Sequence, residues 1–339
     1  MNEKLPLLAA LLKENEAAVK SPKCDRYIYS YLLHYAKPHA VIGAIRRKKV
    51  WAMTISVKTF FDNETNNASH LVCDDQSRKC AIIDTVLDFD LAAGKTATRS
   101  ADEIISYVNS EGLKVDWILE THVHADHLTA SSYVKEKLGG KIGISVGVVD
   151  VQKTFGGIYN LGADFTEDGS QFDVLFADND SFSIGGVDAR VIHTPGHTPA
   201  CATYVIGDCA FTGDTFFMPD SGTARCDFPG GSASQLYNSL QKILALPPET
   251  RLFLNHDYGC GGSRDCAWET SVAEQRDSNI HVGGGKTAAE FIAMREERDA
   301  TLSMPRLVLP AIQVNMRAGE LPAPESNGTR FLKIPLNAF

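Results

Sequence analysis

The chain has 339 residues, 44% hydrophobic and 22% charged, enough for a large buried core and ordinary for a soluble globular protein. Lys and Arg number 33 against 42 Asp and Glu, a formal net charge of −9 that argues against a general nucleic-acid binder. Small or neutral partners fit that charge better, and no apolar run reaches the length of about eighteen residues that a membrane-spanning helix needs, so no membrane span is expected.

Residues 1–50 differ from the rest. Leu5 to Lys20 has helical periodicity, and Ile45-Arg46-Arg47-Lys48-Lys49 is a basic knot. A transit peptide is poor in acids, whereas Glu3, Glu14 and Glu16 stand here, so a helical extension is expected before a catalytic domain over 51–339. Alternation predicts strands over Thr54–Phe60 and, after the turn Asp74–Ser77, over Cys80–Asp84, a hairpin-rich opening. A helix over Ala101–Gly112 is predicted with Ser100 and Glu103 as a capping box.

Val115–Glu120 reads as a buried strand, Ser132–Leu138 as a helix and Ile142–Val146 as a short strand. Val174 to Val191 reads as three β segments. Ala202–Ile206 and Asp208–Phe211 read as a hairpin, followed by a helix over Ser234–Ala245, a strand over Arg251–Leu254 and a helix over Thr287–Arg298. Gly283-Gly284-Gly285-Lys286-Thr287 lacks phosphate-loop spacing and reads as a connector opening that helix. Periodicity alone thus gives a mixed domain of the α+β class.

The chemistry concentrates in Thr121-His122-Val123-His124-Ala125-Asp126-His127, three imidazoles and a carboxylate on a loop after a buried strand. Alternate side chains of an extended segment share a face, so His122 and His124 point together, and Asp126 and His127 are expected at a helix start. His197 in His193-Thr194-Pro195-Gly196-His197-Thr198, Asp214 in Thr212-Gly213-Asp214 and His256 in Asn255-His256-Asp257-Tyr258 complete a metal-ligand set. Two arrangements are open. A dinuclear zinc site, two Zn2+ per chain, would use His122, His124 and His197 on one ion, Asp126, His127 and His256 on the other, and Asp214 as bridge. A single iron would need only two histidines and one carboxylate.

Eight scattered cysteines, with no C-x-x-C pair, read as reduced thiols in a cytoplasmic compartment. Cys73 and Cys80 face each other across the first hairpin as two buried thiols. Cys260 and Cys266 lie near His256, but no second close pair completes a zinc knuckle.

The order H-x-H-x-D-H, H, D, H resembles the metallo-β-lactamase superfamily over residues 53 to 300, which implies an αββα sandwich of two mixed sheets with the metal at one edge. Within it, Thr121 to Ala130, Gly222 to Phe228 and Asn255 to Gly259 resemble the persulfide dioxygenases, and Arg330 to Asn337 resembles their bacterial, sulfide-detoxification branch. Thr129-Ala130 stands where the glyoxalase II relatives carry Gly-Gly.

That resemblance implies one Fe(II) per chain on His122, His197 and Asp214, with His124, Asp126, His127 and His256 as orienting groups or a second metal site. It implies glutathione persulfide and O2 as substrates, giving sulfite and glutathione, and it admits a homodimer. Arg225 is the candidate for steadying the anionic substrate, the alternative being an ordinary salt bridge. Tyr258 is the candidate for a hydrogen bond near the iron, the alternative being core packing. The runner-up activity is a glyoxalase II-type dinuclear zinc thioester hydrolase.

Overall fold

Hydrophobic alternation in the strands decides the layering. In the strand Asn67–Asp74 (β2), Leu71 and Cys73 face one side and Val72 the other. In Lys79–Ile83 (β3), Cys80 and Ile82 oppose Ala81 and Ile83. Both faces are therefore apolar, and the sheet must be covered twice. The computed structural model describes residues 55–162, 165–260, 262 and 264–338. The extension expected over residues 1–50 lies outside the described residues.

Ile55–Asp62 (β1), β2, β3, Lys114–Leu119 (β6), Lys141–Ser145 (β8) and Val174–Phe176 (β9) form one six-stranded sheet in the order β1-β2-β3-β6-β8-β9. Ser181–Ile184 (β10), Val187–His193 (β11), Ala202–Ile206 (β12), Cys209–Phe211 (β13), Arg251–Phe253 (β14) and Glu269–Ser271 (β15) form the second, in chain order. A small third sheet joins Val86–Asp90 (β4) to Lys95–Ala97 (β5) and Leu128–Thr129 (β7). The steps β3–β6, β6–β8, β8–β9 and β13–β14 are parallel and the other pairings antiparallel. Helices Arg99–Ser110 (α1), Ser131–Leu138 (α2), Val148–Tyr159 (α3) and Ala233–Leu244 (α4) make the parallel crossovers.

Three packed cores follow. Val72, Ile83, Leu119 and Phe176 of the first sheet meet Val191, Tyr204, Phe211 and Phe253 of the second. The outer face of the first sheet packs Ile82 and Ile118 on Ile104, Val108 and Val134 of α1 and α2. The outer face of the second packs Ala210 and Leu252 on Leu236, Leu240 and Ile243 of α4, and on Phe291 of the helix Ala288–Asp299. Helix, sheet, sheet, helix is the αββα sandwich expected.

Three local expectations are corrected. Helix α1 begins at Arg99 with Thr98 at its cap position. No Ser100–Glu103 capping box forms, because Asp88 takes both the backbone N and the hydroxyl of Ser100 at 3.1 Å. Asp126 and His127 do not start a helix: β7 claims the next two residues for pairing with β4, and α2 starts only at Ser131. Cys260 and Cys266 are joined as a disulfide, so they are not thiols. Cys73 and Cys80 are buried free thiols in register on β2 and β3, as expected.

Candidate metal centre

Each candidate ligand leaves the end of a strand on one edge of the sandwich. Strand β6 delivers His122, His124, Asp126 and His127, β11 leads to His197, β13 to Asp214 and β14 to His256. Ala202 N donates to Thr121 O at 2.8 Å and Ala68 N to Asn255 O at 2.7 Å, which stitches the strand ends together.

Two glycines allow the approach. Gly196, at φ +142°, lies where a Cβ would stand 2.3 Å from the backbone N of Leu236 at the start of α4. Gly213, at φ +54°, lies where a Cβ would meet Thr121 Oγ1 at 2.5 Å. A larger residue at either position would push His197 or Asp214 away from its neighbours.

His122, His197 and Asp214 converge: His122 Nε2 is 3.8 Å and His197 Nε2 3.7 Å from Asp214 Oδ2. These separations are too long for hydrogen bonds. They suit atoms that each lie about 2.0–2.2 Å from one shared ion and so within about 4.2 Å of each other. His256 Nε2 is 3.2 Å from Asp126 Oδ2 and 3.3 Å from Asp214 Oδ1, while His124, Asp126 and His127 form a second cluster.

The second nitrogen of each ring explains its orientation. Nδ1 of His197 donates to Arg225 O and Nδ1 of His256 to Asn66 O, both at 2.8 Å, and Nδ1 of His122 pairs with Thr121 Oγ1 at 3.0 Å. Anchoring at Nδ1 turns Nε2, a lone pair, toward the centre. His122 Nε2, His256 Nε2, Asp126 Oδ2, Asp214 Oδ1 and both nitrogens of His127 are buried without hydrogen-bond partners. A buried lone pair without a donor is costly, so this donor set fits a metal ion. With the protein's own charges alone, burial and then the His124 and His197 imidazoles hold His122 well below the usual histidine pKa, hence neutral and able to ligate.

His124 is held the other way round. Its Nε2 donates to Asp84 Oδ1 at 3.0 Å and lies 3.2 Å from Glu120 Oε2, leaving Nδ1 unpartnered. Burial opposes its proton, but the two carboxylates overcome that and raise its pKa well above normal.

Three residues outside the sequence-based set build this support. Asp84 also accepts from Thr121 N and Oγ1, both at 2.7 Å, and from Asn255 Nδ2 at 2.6 Å. Glu120 Oε1 accepts from the hydroxyls of Thr129 and Ser131. Asn315 donates to the carbonyls of His124 and His127 at 2.8 and 2.7 Å and accepts from Thr129 N. The readable signal was a charged residue ending an apolar strand: Asp84 after Cys80-Ala81-Ile82-Ile83, and Glu120 after Trp117-Ile118-Leu119. Asn315 gave no such sign.

A cavity of about 610 Å³ opens on the centre, and its walls include Asp126, His197, Asp214, Arg225 and Tyr258. Arg225 closes its guanidinium fork on Asp227, with two contacts of 2.6 Å, and donates to Ser303 O at 2.6 Å. Tyr258 is 60% exposed, which excludes core packing. Its ring stacks on His256 at 5.5 Å and meets Phe217 edge-on at 5.0 Å.

Comparison with known proteins agrees with this geometry. The chain is 52% identical to a probable metallo-hydrolase of Burkholderia pseudomallei over 84% of its own length and 100% of that protein. It is 50% identical to glyoxylase B2 of Dictyostelium discoideum over 83% of its length and 97% of that protein. It is 29% identical to the mitochondrial persulfide dioxygenase ETHE1 of Bos taurus, over 78% and 89%. The crystal structure of ETHE1 from Myxococcus xanthus superposes with a TM-score of 0.62 at 31% identity, covering 78% of this chain and 100% of that one. Residues 63–256, most of the sandwich and every candidate ligand, match the metallo-beta-lactamase superfamily model, and the chain belongs to that superfamily.

Proposed function

We propose that the protein is a glutathione persulfide dioxygenase working with one Fe(II) held by His122, His197 and Asp214. The observation that carries the reading is the convergence of His122, His197 and Asp214 as a set complete in itself. His124 stands outside that set, its Nε2 held by Asp84 and Glu120 and its Nδ1 the ring atom left over. Two histidines and one carboxylate leave positions open on an iron. The resemblance to the persulfide dioxygenases at Thr129 adds support, since Thr129 bonds Glu120 and so belongs to the same network.

The net reaction takes a persulfide anion, O2 and water to sulfite, glutathione and a proton, the outer sulfur being oxidised and O2 reduced. Bound iron would supply the activation of O2. The chain's own residues then have three tasks. Asp84, Glu120 and Asn315 hold the ligand loop in place, work that sets affinity through orientation. The cavity seats the substrate beside the centre, which converts a bimolecular encounter into a positioned one. The Tyr258 hydroxyl, at the exposed side of that cavity, donates a hydrogen bond to the substrate, and Arg225, already paired with Asp227, shapes the wall.

One observation favours the runner-up, a dinuclear zinc thioester hydrolase. His124 Nδ1, His127, Asp126 and His256 also present unpartnered buried atoms, enough for a second ion, and two of the similar proteins carry a hydrolase-type or glyoxylase name. Parallel assays separate the two. Sulfite release from glutathione persulfide that occurs under air and stops under argon supports the dioxygenase. Hydrolysis of S-lactoylglutathione that is indifferent to oxygen, with no sulfite, supports the hydrolase.

A further inference from the structure

Among the described residues five cysteines are buried free thiols, whereas Cys260 and Cys266 are bonded to each other. Cys266 is exposed and Cys260 half-buried. A single bridge in an otherwise reduced set is of the redox-responsive kind rather than a scaffold. Exposure points the same way, because thiol–disulfide exchange needs an attacking thiolate to reach a sulfur.

The bond spans six residues of chain, and Arg264 stands between its ends. The backbone of Arg264 pairs with that of Cys260, and its guanidinium grips two carboxylates at once. Asp257, buried beside His256, accepts at 2.6 and 2.7 Å, and Asp220 at 2.7 and 2.8 Å. Asp257 also holds both feet of the bridge, accepting from Gly259 N at 3.0 Å and Ala267 N at 2.7 Å. Tyr258, next to Asp257, lines the cavity, and so do Phe217, Asp220 and Ser221. Arg264 is therefore a strut between two walls of the cavity. Gly259 leaves it room, since a Cβ there would stand 2.8 Å from Nη2 of Arg264. Arg264 is partly exposed, so its contacts hold well only while the backbone that carries it is fixed. Closing so short a loop covalently fixes that backbone.

We propose that Cys260 and Cys266 form an exchange site for low-molecular-weight thiols and their disulfides, and that its state sets how firmly Arg264 ties the two walls. A small thiolate attacks the exposed Cys266 sulfur, which forms a mixed disulfide and expels Cys260 as a thiolate. A second small thiolate attacks the outer sulfur of that mixed disulfide and releases Cys266. The bridge gains two electrons, the two small thiols become one small disulfide, and the two protein thiolates take up protons. The small disulfide closes the bridge by the reverse steps. Opening it loosens Tyr258 and the Asp220 turn, so the cavity holds its substrate less well.

Hydrogen exchange on the full-length, metal-loaded protein tests it, in buffers of reduced or oxidised glutathione. Mass spectrometry after alkylation should find two more modified cysteines in the reduced buffer, Cys260 and Cys266. The amides of Gly259 and Ala267, and those of Ser221 and Gly222 that close the turn on Met218 O, should then exchange about two- to tenfold faster. The Cys260→Ser/Cys266→Ser double variant should exchange fast in both buffers and keep its metal. Its KM should rise by a similar factor at unchanged kcat, in whichever of the two reactions above the protein performs. A bridge that resists excess reduced glutathione, exchange that is the same in both buffers, or an unchanged KM in the double variant overturns the proposal. The exchange readout involves no turnover, so a protein that consumes no oxygen refutes the dioxygenase reading and leaves this one standing.

Discussion

Asp84 accepts a 3.0 Å hydrogen bond from His124 Nε2 inside the sandwich, where both side chains are fully buried. The same carboxylate holds Thr121 and Asn255, so one residue after β3 connects the loops after β6 and β14. An acidic group in such a place stays ionised: although burial raises its pKa, the His124 charge and four donors pull it below the usual range. Asp84→Asn would present an amide where His124 and Asn255 both donate. Metal affinity should fall about 10- to 100-fold, as for other groups that orient ligands. A metal-buffered titration giving wild-type affinity would show that the loop holds its shape without Asp84.

Ligand roles separate by deletion. His122→Ala, His197→Ala and Asp214→Ala should each abolish metal binding, because three ligands leave no redundancy. His256→Ala should retain the metal and lose activity in part. Metal analysis showing the same loss in His256→Ala as in His122→Ala would establish that the second cluster is a metal site in its own right.

Gly196→Ala tests the backbone approach beside His197. A methyl there would meet the Leu236 backbone at 2.3 Å, and φ +142° is strained for any side chain. Either α4 or the His197 loop must move, so the variant should lose metal and about 1–3 kcal/mol of stability. Thermal melts with and without metal check this. A variant of wild-type stability and metal content would contradict the packing described.

His70 supplies a pH dependence away from the ligands. Burial lowers its pKa to about 4, while Leu254 O and Thr59 hold the neutral ring, each at 3.0 Å. Between about pH 6.5 and pH 4 the unfolded chain binds a proton that the folded chain refuses, so this contribution to stability is complete above pH 6.5 and is lost as pH falls toward 4. The shift corresponds to about 3 kcal/mol. Urea melts across that range should show His70→Gln with a shallower pH slope by about one proton. An identical slope would show that His70 titrates normally.

Much of this centre was legible because metal chemistry writes itself in short spacings: His122 to His127 on one loop, and His197, Asp214 and His256 each after a strand. The sandwich was legible only through the superfamily resemblance that those spacings carry, since strand periodicity alone gives a mixed α and β domain. Capping was less so. Ser100 and Glu103 satisfy the local rule for a capping box, yet Asp88, twelve residues earlier than Ser100, is the better acceptor once the strand β4 is in place. Asp126 has the right residue type for a helix cap but is drawn to His256, far away in sequence. Asn315 holds the ligand loop from 188 residues beyond His127 and is an ordinary polar residue in its own segment. Long-range partners of this kind have no period and no spacing.

The central claim is a single iron on His122, His197 and Asp214, and metal content tied to oxygen consumption tests it most directly. Protein produced with both iron and zinc supplied, then assayed with glutathione persulfide in an oxygen electrode, should hold about one iron per chain and consume one O2 per sulfite formed. Two tightly bound zinc ions per chain, with thioester hydrolysis and no oxygen uptake, would contradict it.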